Sequence, residues 1–387
     1  MRSAIFSAFF DGLCRSTLVI AFITLGSSQF ASAQVKGKLG DVDFKLKFGG
    51  RVNLDMGTFL GADDNAANRN GISANDCRLG VTADFDSVWQ AKLEVSYSKK
   101  EISFKDVYVK RTFLSTGSEV QLGNFFFPFG FKRAGTAYKF VDTSTADATF
   151  TPWRKLGLAY QSFSDHFNWG VGVFSAGDVD NGKQTNQGYS FNAYALVRPV
   201  CENGNVFHVT ASGMIVHPNG TTTFSSPMPL MFMSHYMLKT DTMEAYNVGK
   251  LEIGVLGIVR RFYAEARFLK VWVNTPDEKI VDDEVVAQEN YNGAYGLYVQ
   301  AAWRFFGGNQ GYNKKTGLGT NASGRAFEVL ARFDRTDLDM FGSANNATLG
   351  LNYYFNKYLR VRVNYVHGSI KDGAKLDALC SRVQFSF

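Results

Sequence analysis

Phe44-Lys45-Leu46-Lys47-Phe48 opens a run in which apolar and polar side chains strictly alternate. Val52, Leu54 and Met56 continue one parity, while Arg51, Asn53 and Asp55 continue the other. The chain closes the same way, on Val383-Gln384-Phe385-Ser386-Phe387. Successive side chains of a strand point to opposite faces, so each such segment has an apolar side and a wet side. Repeated along the chain with no helical domain between, this pattern encodes an all-β, transmembrane, antiparallel up-and-down β-barrel.

Working outward from residue 44, sixteen alternating segments follow, from Phe44–Phe59 to Ala378–Phe387. An even number suits a single-chain bacterial barrel. Short links such as Asp86–Val88 and Asn356–Tyr358 alternate with long polar ones such as Leu60–Asp76, Phe126–Trp153 and Val216–Glu244. That is the pattern of short periplasmic turns and long external loops. Phe306–Ser323 is long where a short turn is expected. In Cys77–Phe85 and most other segments the parity is clean, but in Arg261–Val273 it shifts after Phe268, which predicts a bulge. A soluble β-sandwich is the competing fold, and sixteen strands without an internal repeat disfavour it.

The 387 residues include 15% aromatics and only 7 prolines, and the mean hydropathy is −0.13. Beyond the amino terminus no run approaches the ~18–20 apolar residues of a spanning helix. Residues 1–33 read as a secretory signal, with Arg2 and Arg15, the apolar core Leu18–Leu25, and Ala31-Ser32-Ala33 as cleavage site. The expected organisation is therefore a signal peptide (1–33) cleaved after Ala33, a short periplasmic lead (34–43) and a barrel (44–387). Loss of Arg2, Asp11 and Arg15 leaves 39 basic and 34 acidic side chains, a net of +5. That mild charge gives no indication of a nucleic-acid partner. Three cysteines remain, Cys77, Cys201 and Cys380, and an odd, dispersed set predicts no disulfide framework.

With the polar parity facing inward, the wall carries fifteen bases and eight acids, a net of +7. Basic rings in a pore favour anions. Closure makes the first two and last two strands neighbours, which aligns Lys45, Lys47, Arg51, Arg78, Arg360, Arg362 and Arg382 as a candidate anion pathway. The segment Phe126–Trp153 is the third external loop, and its apolar start predicts that it folds into the pore. It brings Lys132, Arg133, Lys139 and Arg154 as candidate constriction residues.

At this loop the chain resembles the phosphate-selective porin O and P family. Gly123-Asn124-Phe125-Phe126-Phe127-Pro128-Phe129-Gly130-Phe131-Lys132 is similar to the family's G-Q-F-K-x-P-F-G-L-E stretch. Phe104-Lys105-Asp106-Val107-Tyr108 resembles its F-K-D-A-Y strand, and Arg154-Lys155-Leu156-Gly157-Leu158 its R-R-L-G-V strand start. Asn124, Phe126 and Lys132 depart from the family's Gln, Lys and Glu. The resemblance implies a trimeric porin of the Gram-negative outer membrane, with anions guided by lumen arginines and lysines and no cofactor. Phe387 resembles the carboxyl-terminal aromatic signal read by the barrel-assembly machinery.

The expected function is an outer-membrane channel for passive diffusion of small hydrophilic solutes, anion-preferring, with phosphate or polyphosphate among the candidates. A nutrient channel for sugars or peptides is the alternative. Tyr108, Tyr194, Tyr263, Tyr298 and Tyr354 share the inward parity that sugar sliding needs, but they are expected to be spread around the wall. A hydrolase needs nucleophile and base groupings. His166, His208, His217, His235 and His367 show no such spacing, nor that of a metal site.

Overall fold

The computed structural model describes residues 34–60, 70–98, 101–126, 129, 139–175, 177, 187–218, 220–276, 278–281, 284–287, 290–373 and 375–387. The expected signal peptide lies outside the described residues.

Seventeen strands form one continuous antiparallel sheet. The first eight are β1 (Gln34–Leu39), β2 (Val42–Leu60), β3 (Asn70–Phe85), β4 (Trp89–Ser98), β5 (Glu101–Phe113), β6 (Ser118–Phe125), β7 (Lys155–Phe163) and β8 (Phe167–Ser175). Then come β9 (Tyr189–Glu202), β10 (Asn205–His217), β11 (Asn247–Val259), β12 (Phe262–Asn274) and β13 (Tyr295–Phe306). The last four are β14 (Ala326–Asp337), β15 (Ser343–Tyr354), β16 (Leu359–Ile370) and β17 (Lys375–Ser386). Each of β2 to β17 pairs with its sequence neighbour, and β17 returns to β2 through Arg51↔Ser386 to Leu60↔Asp377. The result is a closed barrel of sixteen strands. All sixteen expected segments are present; β3 starts seven residues earlier than expected, at Asn70.

The seam is completed by the last residue. Gly50 N donates to Phe387 O at 3.1 Å, and Phe387 N donates to Gly50 O at 3.0 Å. Below that point β2 extends past β17, and β1 folds back to pair with its free side from Leu39↔Val42 to Gln34↔Lys47. The expected lead is thus largely a strand.

The two parities separate as a bilayer requires. Leu54, Leu79, Leu122, Val171, Ile253 and Leu349 are exposed on the outer face, while Arg51, Asp55, Arg267, Glu328 and Arg362 are buried on the inner one. Aromatic contacts edge the end that carries the short turns: Phe262–Trp303, Phe306–Tyr353, Tyr353–Phe355 and Phe385–Phe387, with ring centroids 4.7–6.4 Å apart. Such a girdle marks a membrane interface.

The predicted bulge in the Arg261–Val273 segment is absent, because β12 pairs with β11 and β13 without a register shift. In sequence its parity shifts only because Leu269, Val271 and Val273 face inward yet are apolar. They pack beneath loop residues Phe150, Phe224 and Leu238 in a hydrophobic cluster at the end that carries the long loops. Bulges occur elsewhere. Registers shift at Asn75 in β3, at Lys105-Asp106 in β5, at Arg198-Pro199 in β9 and at Phe305 in β13.

Gly50 is where the seam is tightest: a Cβ there would lie 2.5 Å from the Arg78 carbonyl and 2.8 Å from the Phe387 ring. Gly50→Val should therefore reduce the yield of folded, heat-modifiable barrel on unboiled SDS gels. Gly213→Val, where a Cβ meets open space, should leave that yield unchanged.

Candidate functional site

Four strands on one wall carry a continuous chain of ion pairs. Arg51 donates through Nη2 to Asp76 Oδ2 at 2.5 Å, and Arg78 Nε donates to Asp76 Oδ1 at 2.6 Å. Arg78 Nη1 reaches Glu94 at 2.9 Å, and Lys92 bridges Glu94 at 3.1 Å and Asp106 at 2.6 Å. Arg154, just ahead of β7, closes the chain on Asp106 at 2.6 Å, and its guanidinium lies 4.1 Å from the centre of the Phe126 ring. Four cations therefore share three carboxylates, leaving this belt one positive charge in excess. Its side chains are between 9% and 21% exposed, as expected of groups lining a wetted passage.

Two of the bulges build this belt. At Asn75, one extra residue in β3 lets Asn75 and Asp76 both face inward: Asn75 Nδ2 donates to Asp55 at 2.8 Å while Asp76 meets the two arginines. In β5, Lys105 and Asp106 together oppose Glu94, and the freed Lys105 carbonyl accepts from Asn124 Nδ2 at 2.6 Å. Bulges re-aim side chains in this way next to functional sites.

The candidate pathway residues fall into three settings. Arg51 and Arg78 belong to the belt. Lys45 and Lys47 line an open vestibule of about 710 Å³ at the short-turn end, where Lys47 pairs with Asp84 at 2.5 Å. Arg360, Arg362 and Arg382 are buried on β16 and β17, with Arg362 directly across from Arg382. Arg382 holds Asp55 in two bonds of 2.6 Å. Arg360 donates to Ser386 at 2.8 Å and Arg362 to Gln384 at 2.9 Å. Neither of these two has a carboxylate within ion-pair distance among the described residues, and Arg362 Nε and Nη2 have no hydrogen-bond partner there.

Of the constriction-loop candidates, Arg154 joins the belt, and Lys132 and Arg133 lie outside the described residues. Lys139 is buried against the opposite wall, 3.3 Å from Glu328 and 3.0 Å from Gln310. Burial pushes its ammonium below the usual lysine range, with Glu328 opposing that shift. The loop then forms a short helix, α1 (Thr145–Phe150), capped by Ser144. Thr145 N donates to Asp334 at 3.1 Å, Arg332 donates to the Asp142 carbonyl at 2.9 Å, and Lys250 donates to the Phe150 carbonyl at 2.9 Å. A second loop lies over the first: Leu230 N and Met231 N donate to Asp142 Oδ2 at 3.0 and 3.2 Å. The first loop thus leans on the wall from β11 to β16, and the second on β16, β17 and the loop-end parts of β2 and β3, while the ion-pair belt below them faces the passage.

Several functional side chains escaped sequence reasoning. Asp76 lies ahead of the expected strand start, although its spacing of two from Arg78 signals a shared face. Glu119, on β6, receives both Lys110 at 3.1 Å and Lys315 from the long turn-end link. That link holds a hairpin, Gly311–Asn313 paired with Leu318–Thr320, which folds into the barrel against Arg198 and His208. The tyrosines are not a uniform stripe. Tyr263 and Tyr298 both donate to Glu265, Tyr354 donates to Glu328, and Tyr108 and Tyr194 line one cavity.

A model of the phosphate-selective porin O and P family matches residues 46–387. The chain belongs to this family. The family and the closed barrel make it a channel of the outer membrane. Its fold resembles that of a loop-L8-deleted OmpT, an outer membrane protein of Vibrio cholerae, with a TM-score of 0.57 and 12% identity over 89% of this chain and 99% of that one. The anion-selective porin from Comamonas acidovorans gives 0.57 and 11% over 89% and 100%, and the outer membrane channel DcaP of Acinetobacter baumannii 0.55 and 13% over 92% and 100%. At such identities the likeness is one of fold. A search among individually curated proteins finds no match.

Within this porin, Arg382 depends on one carboxylate. Asp55→Asn leaves the guanidinium buried without its counter-charge, a loss of about 3–5 kcal/mol when one partner of a buried pair is removed. Urea unfolding of the refolded barrel in micelles should show a correspondingly lower midpoint.

Proposed function

We propose that this porin passes small hydrophilic solutes by diffusion and prefers anions. The observation that carries this is the belt of Arg51, Arg78, Lys92 and Arg154 over Asp76, Glu94 and Asp106, with its one uncompensated positive charge facing the passage. Lys45 and Lys47 extend the positive field into the vestibule, and the buried Arg360 and Arg362 add two cations with no adjacent carboxylate among the described residues. Field lines focus in a narrow low-dielectric passage, so a small charge excess there outweighs the mild net charge of the chain. Asp142 and Lys139 hold the third loop across the lumen, which suits it to set the constriction.

Inorganic phosphate is one candidate passenger, on family grounds. The export signal ending at Ala33, recognition of Phe387 by the assembly machinery and a homotrimer in the lipid of the outer membrane complete the proposal. OmpT of Vibrio cholerae is described in a trimer form, with a TM-score of 0.52 and 10% identity to this chain.

Reversal potentials in planar bilayers under a potassium chloride gradient test the preference, and a potential of the cation-selective sign overturns it. One unit charge about 4 Å from a passing ion in water is worth about 1 kcal/mol. Removing or adding that charge acts with opposite sign on chloride and potassium, about fivefold on each, so Asp76→Asn should raise the chloride-to-potassium permeability ratio roughly thirtyfold, and Arg78→Gln should lower it by a similar factor.

A further inference from the structure

The hairpin from the turn end does more than fill space. Arg198, wholly buried at the β9 bulge, fixes its position: Nη1 donates to the Lys314 carbonyl at 2.9 Å, Nε to the Asp165 carbonyl at 2.9 Å, and Nη2 to Asn168 Oδ1 at 2.7 Å. Asn168 Nδ2 returns a bond to the Lys314 carbonyl at 2.8 Å, and Tyr312 meets His208 at 2.8 Å. So held against β8 to β10, the hairpin projects Lys315 past Phe163 to Glu119 on β6, which Lys110 also contacts. Two ammonium groups, one from the wall and one from the hairpin, converge on one carboxylate oxygen, Glu119 Oε1. Beside them lies a cavity of about 130 Å³, walled by Tyr108, Phe125 and Tyr194 and by the amide of Gln161. Tyr108 and Phe125 meet edge to face at 6.2 Å.

We propose that this cavity is a binding station for small organic anions with a flat apolar body, aromatic carboxylates being the fitting class. Lys110 and Lys315 take the carboxylate, and Tyr108, Phe125 and Tyr194 take the ring. Glu119 already shows that one carboxylate oxygen can engage both ammonium groups. Offset and edge-to-face packing on the aromatic walls supplies an attraction that an inorganic anion cannot use. Phosphate has no apolar face to offer, and its second negative charge meets Asp106 and Glu119, which border the same cavity. Asp106 is already held by Lys92 and Arg154, so Lys110 and Lys315 against Glu119 leave one positive charge, which suits a monoanion. Arg198 is a positioning residue here, since it acts through the hairpin that carries Lys315.

The proposal rests on the anion-preferring reading, and one bilayer experiment separates the two. Chloride conductance of the full-length refolded porin is titrated at neutral pH with benzoate, acetate and phosphate in turn. Benzoate should lower the conductance at concentrations where acetate and phosphate do not. Lys315→Gln, at a side chain half exposed to solvent, should raise the half-blocking concentration of benzoate roughly fivefold, as for one unit charge at about 4 Å in water. Tyr108→Ser should weaken the benzoate block while leaving the chloride-to-potassium ratio unchanged. Equal block by benzoate and acetate in the wild type, or a benzoate block indifferent to Lys315→Gln, overturns the station even if chloride preference holds. A cation-selective wild type defeats the anion reading itself.

Discussion

Inside a bilayer a backbone N–H or C=O has no water to bond, so every one of them must find another strand. That single requirement makes the junction of β2 with β17 the point on which the rest of the molecule depends. Once ten residues of each are paired and Phe387 is bonded both ways to Gly50, no edge remains within the barrel. Closure then commits one parity of sixteen strands to lipid and the other to a confined interior. The interior is too wide for wall side chains alone to fill. Loops from one end and a hairpin from the other fill much of it, and the belt across β2 to β5 stays wet.

Confinement dictates how charge is arranged in that wet half. A cation held at a low-dielectric wall is steadied by a nearby counter-charge, and a carboxylate shared by two cations gives each of them only half of one. Asp76 between Arg51 and Arg78 is such a case, and so is Glu119 between Lys110 and Lys315. Sharing keeps the cations ordered without neutralising them. By contrast, Arg382 with Asp55, and Arg267 with Glu252 and Asp147, are saturated and buried, and their role is to hold strands and loops together.

Much of this was legible from residues 44 to 387. The period of two placed all sixteen strands and set Arg51, Arg78, Arg360, Arg362 and Arg382 inward. Its failures share one physical origin: parity reports a face only while the register is unbroken and the inner face is wet. Asn75 breaks the register, so Asp76 fell outside the strand as read from sequence. Leu269, Val271 and Val273 break the second condition, because loop residues far away in sequence turn that stretch of lumen into a hydrophobic core. The path of the Phe306–Ser323 link could not be read at all. Its inward course depends on Arg198 and Asn168, more than a hundred residues earlier, and no local pattern encodes those contacts.

One more consequence follows from the unequal lengths at the seam. β2 runs nineteen residues and overhangs β17, so its lower flank would present a row of unsatisfied amides outside the bilayer. Such a ledge is a template on which another chain can add a strand, the usual route to edge-to-edge aggregation. β1 occupies it instead, with Lys36 and Lys38 along its length. The barrel thus protects itself twice: closure shields the part in lipid, and a short basic strand shields the part in water, where a crowded compartment full of unfolded chains would otherwise find a docking edge.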